Sequence, residues 1–156
     1  MNVFFLAKCP TKAAQMQCDK HVVKMILETA QLLSTAHHLC GEGGPYKVTH
    51  QNHPSAVWAR ESVANYRWLY AHLEALSDEY TERYAKVHKT WREHSQALSR
   101  CPEGIKALKF TEPPQCMPDE CKNSSTTLAY MVYYNLKADE WAAKGSPMKW
   151  YGSTAE

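Results

Sequence analysis

What is missing from this sequence excludes several classes at the outset. No apolar run approaches the roughly 20 residues that a membrane helix needs, so no spanning segment is expected. Cysteine occurs six times, yet no two form a C-x-x-C pair, and the closest are Cys116 and Cys121. Zinc ribbons and knuckles need two such tight pairs to fix a tetrahedron. The thiols therefore read as reduced, some of them buried, and neither a metal nor another cofactor is expected. An excess of one charge is also lacking: 18 Lys and Arg face 16 Asp and Glu, for a net +2. Proteins that grip duplex DNA over many phosphates carry a larger cationic surplus. That balance argues against a long electrostatic footprint but leaves room for a local basic pocket. The eight histidines add positive charge only below about pH 6.5. Residues 1–7 are apolar but short, with no basic start and no cleavage site, so they read as no signal peptide. The expected location is cytoplasmic.

What is present fits one globular domain over residues 1–156, with 44% hydrophobic and 22% charged residues. Residues 2–7 read as a short extended piece or a buried lead-in. A helix over 19–38, capped by Asp19, stops before the Gly41-Glu42-Gly43-Gly44-Pro45 break. Val23, Ile26, Leu27, Ala30, Leu33 and Ala36 recur on it at helical spacing and predict its core face. A second helix starts near Pro54 and runs to Tyr84, with a break near Ser77; a shorter one covers 90–98. Residues 101–122 hold four of the eight prolines and three cysteines, and read as an ordered loop or lid. Asn123 or Ser124 caps a last helix through Trp141. No strand pair is found. The class is all-α, a compact bundle of four to five helices with a long proline-rich loop.

Lys20, Lys24, Glu28, Gln31 and Thr35 form a polar stripe on the first long helix. Glu28 is the candidate catalytic residue. A carboxylate held on an apolar helix is able to stabilise positive charge developing on a sugar, or to activate a water, during glycosidic cleavage. The plainer reading is a solvated face with a Lys24–Glu28 pair worth about 0.3–0.5 kcal/mol.

The run Thr49-His50-Gln51-Asn52-His53-Pro54 sets two imidazoles and two amides before a helix N-terminus, where backbone N–H groups attract anions. His50, Asn52, His53 and, further on, Arg60 are candidates for phosphate or base contacts. An Asn52 cap with surface histidines explains the run equally well. Zinc held by His50, His53 and His37 or His38 has no specific support from spacing. Among the aromatic residues, Tyr66, Tyr80 and Tyr84 read as core or half-buried, while Trp150 and Tyr151, on a polar tail, are candidates for stacking on a ligand. Gln115, in the proline-rich loop, is placed to read a base edge or to belong to a rigid connector.

The stretch Asp19-Lys20-His21-Val22-Val23-Lys24-Met25-Ile26-Leu27-Glu28 resembles the Asp-x-His…Glu helix of the phage pyrimidine-dimer DNA glycosylase (endonuclease V) family. The Asp-to-Glu distance is the same, and the resemblance puts Glu28 at the catalytic carboxylate. Pro147-Met148-Lys149-Trp150-Tyr151-Gly152 is similar to that family's aromatic C-terminal segment. The helix together with Asn52-His53-Pro54 and Trp58 also resembles further phage and bacterial proteins related to it. The family's lyase step uses the amine of an N-terminal Thr, which forms a Schiff base with the sugar. Here Asn2 follows Met1, a context in which Met is retained, so that Thr-type nucleophile is not expected. The arginines around the family's glutamate are replaced by Leu27, Lys20 and Lys24.

The resemblance and the low charge together imply an N-glycosidase that cleaves a base–sugar bond in a small nucleotide, such as a cyclic dinucleotide immune signal of a phage's host. In that role the protein would act against host defence, in the host cytoplasm. Lys20, Lys24, His50, His53 and Arg60 would hold phosphates; Gln31, Asn52 or aromatic rings would seat the base. The alternatives are a DNA base-excision glycosylase and a non-catalytic protein that sequesters a nucleotide. DNA is thus a second expected partner, a membrane is not, and the oligomeric state is left open.

Overall fold

Four helix starts are written in side chains that accept from backbone N–H groups the helix itself leaves bare, a device worth about 1 kcal/mol each. In the computed structural model, which describes residues 1–150, these capping residues are His53, Ser62, His88 and Ser125, which accept from Ser55, Asn65, Thr90 and Leu128. They open α3 (Pro54–Ala59), α4 (Val63–Tyr84), α5 (Lys89–Ser99) and α6 (Thr126–Ala143). Ahead of them lie α1 (Pro10–Met16) and α2 (Asp19–Leu39), and a single 3₁₀ turn spans Asp119–Cys121. No strand occurs among the described residues. The class is all-α, with six α-helices among the described residues.

The two extra helices have local causes. α1 carries only Ala13 and Ala14 as buried residues, too little apolar pattern to announce a helix. The chain breaks after Arg60 rather than at Ser77, because Ser62 takes an extended backbone and caps α4. The Ser77 hydroxyl instead donates to the Leu73 carbonyl (2.8 Å) and stays within the helix. Asp19 is the first residue of α2 and not its cap, which is Cys18; its carboxylate pairs with Arg83 at 3.0 Å.

α2 packs against α3, α4 and α5, and α4 also covers α1. The buried face of α2 runs through Val22, Met25, Ile26, Thr29, Ala30, Leu33 and Ala36. Val23 and Leu27, expected in the core, are 40% and 39% exposed. Thr35, expected on the polar stripe, is buried with its hydroxyl on the Thr49 carbonyl (3.4 Å). Residues 3–6 have no regular structure and are wholly inside: Phe4 stacks on His21 at 4.1 Å and meets Tyr130 and Tyr134 edge-on. This lead-in threads between α2 and α6, and it delivers the first two residues to the middle of α2.

The segment between α5 and α6 is pinned from several sides. Asn65, on α4, bonds Thr111 through both its carbonyl (2.9 Å) and its amide (3.1 Å), and Trp58 Nε1 donates to the Thr111 carbonyl (2.9 Å). Tyr130 donates to the Pro114 carbonyl (2.6 Å). Gln115 closes a two-bond ring with the Asn123 backbone (2.6 and 3.0 Å), so its amide is already committed. No helix among the described residues is long and apolar enough to cross a membrane.

Candidate active site

Glu28 lies seven positions after His21 and four after Lys24, so the three share one side of α2. That side turns partly away from solvent, and the Glu28 side chain is 17% exposed. Its Oε1 lies 3.3 Å from the α-ammonium of Met1, and its Oε2 lies 3.7 Å from Lys24 Nζ. The second contact is too long for a hydrogen bond. Oε2 is buried and has no hydrogen-bond donor among the described residues. A buried carboxylate oxygen with open acceptor capacity is costly in a folded chain and calls for an explanation.

The Met1 amine is held by its neighbour. Asn2 Nδ2 donates to the Cys116 carbonyl (3.1 Å), and Asn2 Oδ1 lies 3.3 Å from the Tyr130 hydroxyl, whose proton goes to the Pro114 carbonyl. The proline-rich loop and α6 thus clamp the chain start against α2. His53 joins the neighbourhood: burial first, then the nearby α-ammonium, pushes its pKa below the usual histidine range.

Glu28 and Lys24 form a wall shared by two cavities. One is a cleft of about 640 Å³ between α2 and the start of α5, with Val23, Leu27, Tyr46, His88 and Thr90 around it. The other, about 210 Å³, is lined by Met1, His21, Tyr133 and Lys137 as well. His21 is held neutral there, with a pKa pushed down to about 3 by burial and then by Lys137 and Lys24. Its Nδ1 is engaged by the Tyr134 hydroxyl. Val23 and Leu27 are exposed because they are the aliphatic wall of the larger cleft.

The other sequence candidates are dispersed. Lys20 turns to the far end of the chain, over the Trp141 ring (4.8 Å) and toward Ser146 (3.4 Å). Gln31, half-buried, sits one turn beyond Glu28 on α2. His50 is exposed with a positive φ, bonded to Thr49 (2.7 Å), and Asn52 lines a separate cavity beside Trp58 and Glu112. Arg60 ends α3 close enough to Cys40 to bear on its thiol, near the far end of α2. Trp150, expected to touch ligand, is 4% exposed and packs edge-on against Tyr134 at 4.9 Å. Tyr151 lies outside the described residues. His37 and His38, weighed above as metal ligands, bond Tyr66 (2.7 Å) and the Tyr46 carbonyl (2.7 Å). The structure thus unites Glu28 and Lys24, while His53 caps α3 and lines neither of their cavities. The structure adds Met1, Tyr133 and Lys137, whose sequence separation from Glu28 gave no local signal.

A family model described as pyrimidine dimer DNA glycosylase matches residues 1–96. The match takes in the lead-in, α1 to α4 and most of α5, and leaves the proline-rich loop and α6 outside it. No curated protein and no solved structure matches the chain.

Proposed function

We propose that this chain, which belongs to the pyrimidine dimer DNA glycosylase family, is an N-glycosidase that breaks a base–sugar bond in DNA with Glu28 as its catalytic carboxylate. The observation that carries the reading is the position of Glu28 on the wall between an apolar cleft and a small cation-lined cavity. A nucleotide divides in the same way: a flat base that favours aliphatic and aromatic walls, and a sugar-phosphate that favours positive charge. The bond to be broken lies between the two, where the carboxylate is.

With the base in the larger cleft, Glu28 faces the sugar. As the C1′–N bond lengthens, positive charge grows on the sugar ring and the ionised carboxylate stabilises it. The open Oε2 is also able to take a proton from an attacking water, which then adds to C1′ while the base leaves with a proton. A target base inside a duplex must first leave the stack to reach such a cleft.

The Met1 amine favours a second reading of the attacking group. At 3.3 Å from Oε1, it is positioned to lose a proton to Glu28 and add to C1′ in place of water as the base leaves with a proton; the C1′–O4′ bond then opens, O4′ takes a proton, and the C1′–N bond becomes an imine. A small nucleotide, the substrate expected from charge alone, fits the same two cavities; family membership favours DNA.

One experiment addresses these readings. Damaged-base duplex DNA and free nucleotides are incubated with protein, and released base is read by chromatography, with and without borohydride. Glu28→Gln is expected to lower release by about 10²–10³-fold; full turnover by that variant refutes the assignment. Free base without a borohydride-trapped adduct identifies water as the attacker, and a trapped adduct identifies the amine. Ligand recovered intact with both proteins leaves only a sequestering role.

A further inference from the structure

We propose that the smaller cavity beside Glu28 is a phosphate subsite, and that Lys137, from a helix outside the family match, is its charged ligand. The inference rests on the glycosidase reading only in taking a nucleotide as the substrate.

Three cations line this space, the Met1 ammonium, Lys24 and Lys137, against the single carboxylate of Glu28. Glu28 lies near the first two, through Oε1 and Oε2. Among the described residues no carboxylate pairs with Lys137, whose Nζ sits 4.7 Å from the centroid of the Tyr133 ring. A ring face holds an ammonium in place without neutralising it, so the charge of Lys137 remains available to an anion.

His21 points the same way. Its Nδ1 is engaged by the Tyr134 hydroxyl, so only Nε2 is available to a ligand. The ring stays uncharged at neutral pH. Apart from Glu28, the charged groups at this cavity are then cations, the complement of a phosphate's acceptor oxygens. The space of about 210 Å³ is compact beside the neighbouring cleft. A phosphate seated here lies next to the sugar that Glu28 faces and opposite the base.

The test is a binding measurement that needs no turnover. The probes are a fluorescein-labelled duplex carrying a tetrahydrofuran abasic-site analogue, which has no base to release, and a nucleoside 5′-monophosphate compared with its nucleoside. Lys137→Met keeps the hydrocarbon stem against Tyr133 and removes only the charge; Lys137→Arg restores charge. The expected result is that Lys137→Met weakens duplex binding about tenfold and flattens the log K against log salt slope by about one, with Lys137→Arg recovering both. Wild type should also prefer the monophosphate to the nucleoside, and Lys137→Met should lose that preference. An unchanged slope overturns the proposal even if affinity falls, since packing on Tyr133 would then explain the loss. A wild type that binds neither probe, or binds monophosphate and nucleoside equally, overturns it as well. The glycosidase reading stands or falls separately, on Glu28→Gln turnover.

Discussion

His72 lies wholly inside α4, stacked on Trp68 at 5.0 Å, with Nδ1 donating to the Pro10 carbonyl (3.0 Å) and Nε2 facing the Gln17 amide (3.0 Å). Burial holds its pKa at about 4 against an ordinary 6.5. Between those values the unfolded chain binds a proton that the folded chain refuses, so stability is complete above about pH 6.5 and falls as pH drops toward 4. The span corresponds to on the order of 3 kcal/mol for this residue alone, and His21 adds a loss of the same sign. Denaturant midpoints from pH 7 to pH 4 should therefore decline. His72→Gln should show a shallower decline than wild type; parallel profiles would mean that His72 does not titrate as described. His21 and His72 are both far from the usual histidine value, but only His21 borders Glu28. The neutral ring of His21 therefore borders the candidate site, while that of His72 is packed among Trp68, Pro10 and Gln17.

At the scale of elements, the proline-rich segment behaves as a part of the core with no regular backbone. Asn65 is its main fastening: one buried amide serves Thr111 twice and the Trp58 carbonyl at 3.0 Å. Asn65→Ala leaves those groups without partners, and a loss of about 2–3 kcal/mol is expected in chemical denaturation. Ser62→Ala, which removes only the α4 cap, should cost about 1 kcal/mol. Equal effects would show that the loop is not fastened through Asn65. The long helices were legible in the sequence because their apolar residues recur at 3.6 spacing, and Lys24 with Glu28 was legible as an i, i+4 pair. Ile26, Ala30, Leu33 and Ala36 are buried as expected, while Val23 and Leu27 are not, since Val22 and Val23, like Ile26 and Leu27, are adjacent apolar residues and only tertiary contact decides between them. Trp150 was misleading for a related reason: polar neighbours suggested exposure, while Tyr134 supplies a ring for it to pack on. Met1 and Lys137 reach Glu28 through the lead-in and α6, and no helical spacing rule reports a meeting across 27 or 109 residues.

At the scale of the whole molecule, a net charge of +2 and a cluster of three cations at one cavity describe a small electrostatic contact. Binding to duplex DNA should weaken with salt along a log–log slope of about −3, set by a few phosphates. Affinity should stop rising once the oligonucleotide covers the immediate flanks of the target. A slope near −8, or affinity that keeps climbing with duplex length, would place the contact over a much wider surface. The clamp on Asn2 has a practical corollary for such measurements. A tag fused ahead of Met1 turns its ammonium into an amide, deleting a positive charge 3.3 Å from Glu28. A protein prepared that way is expected to fold and still misreport its own chemistry, so the handle belongs elsewhere.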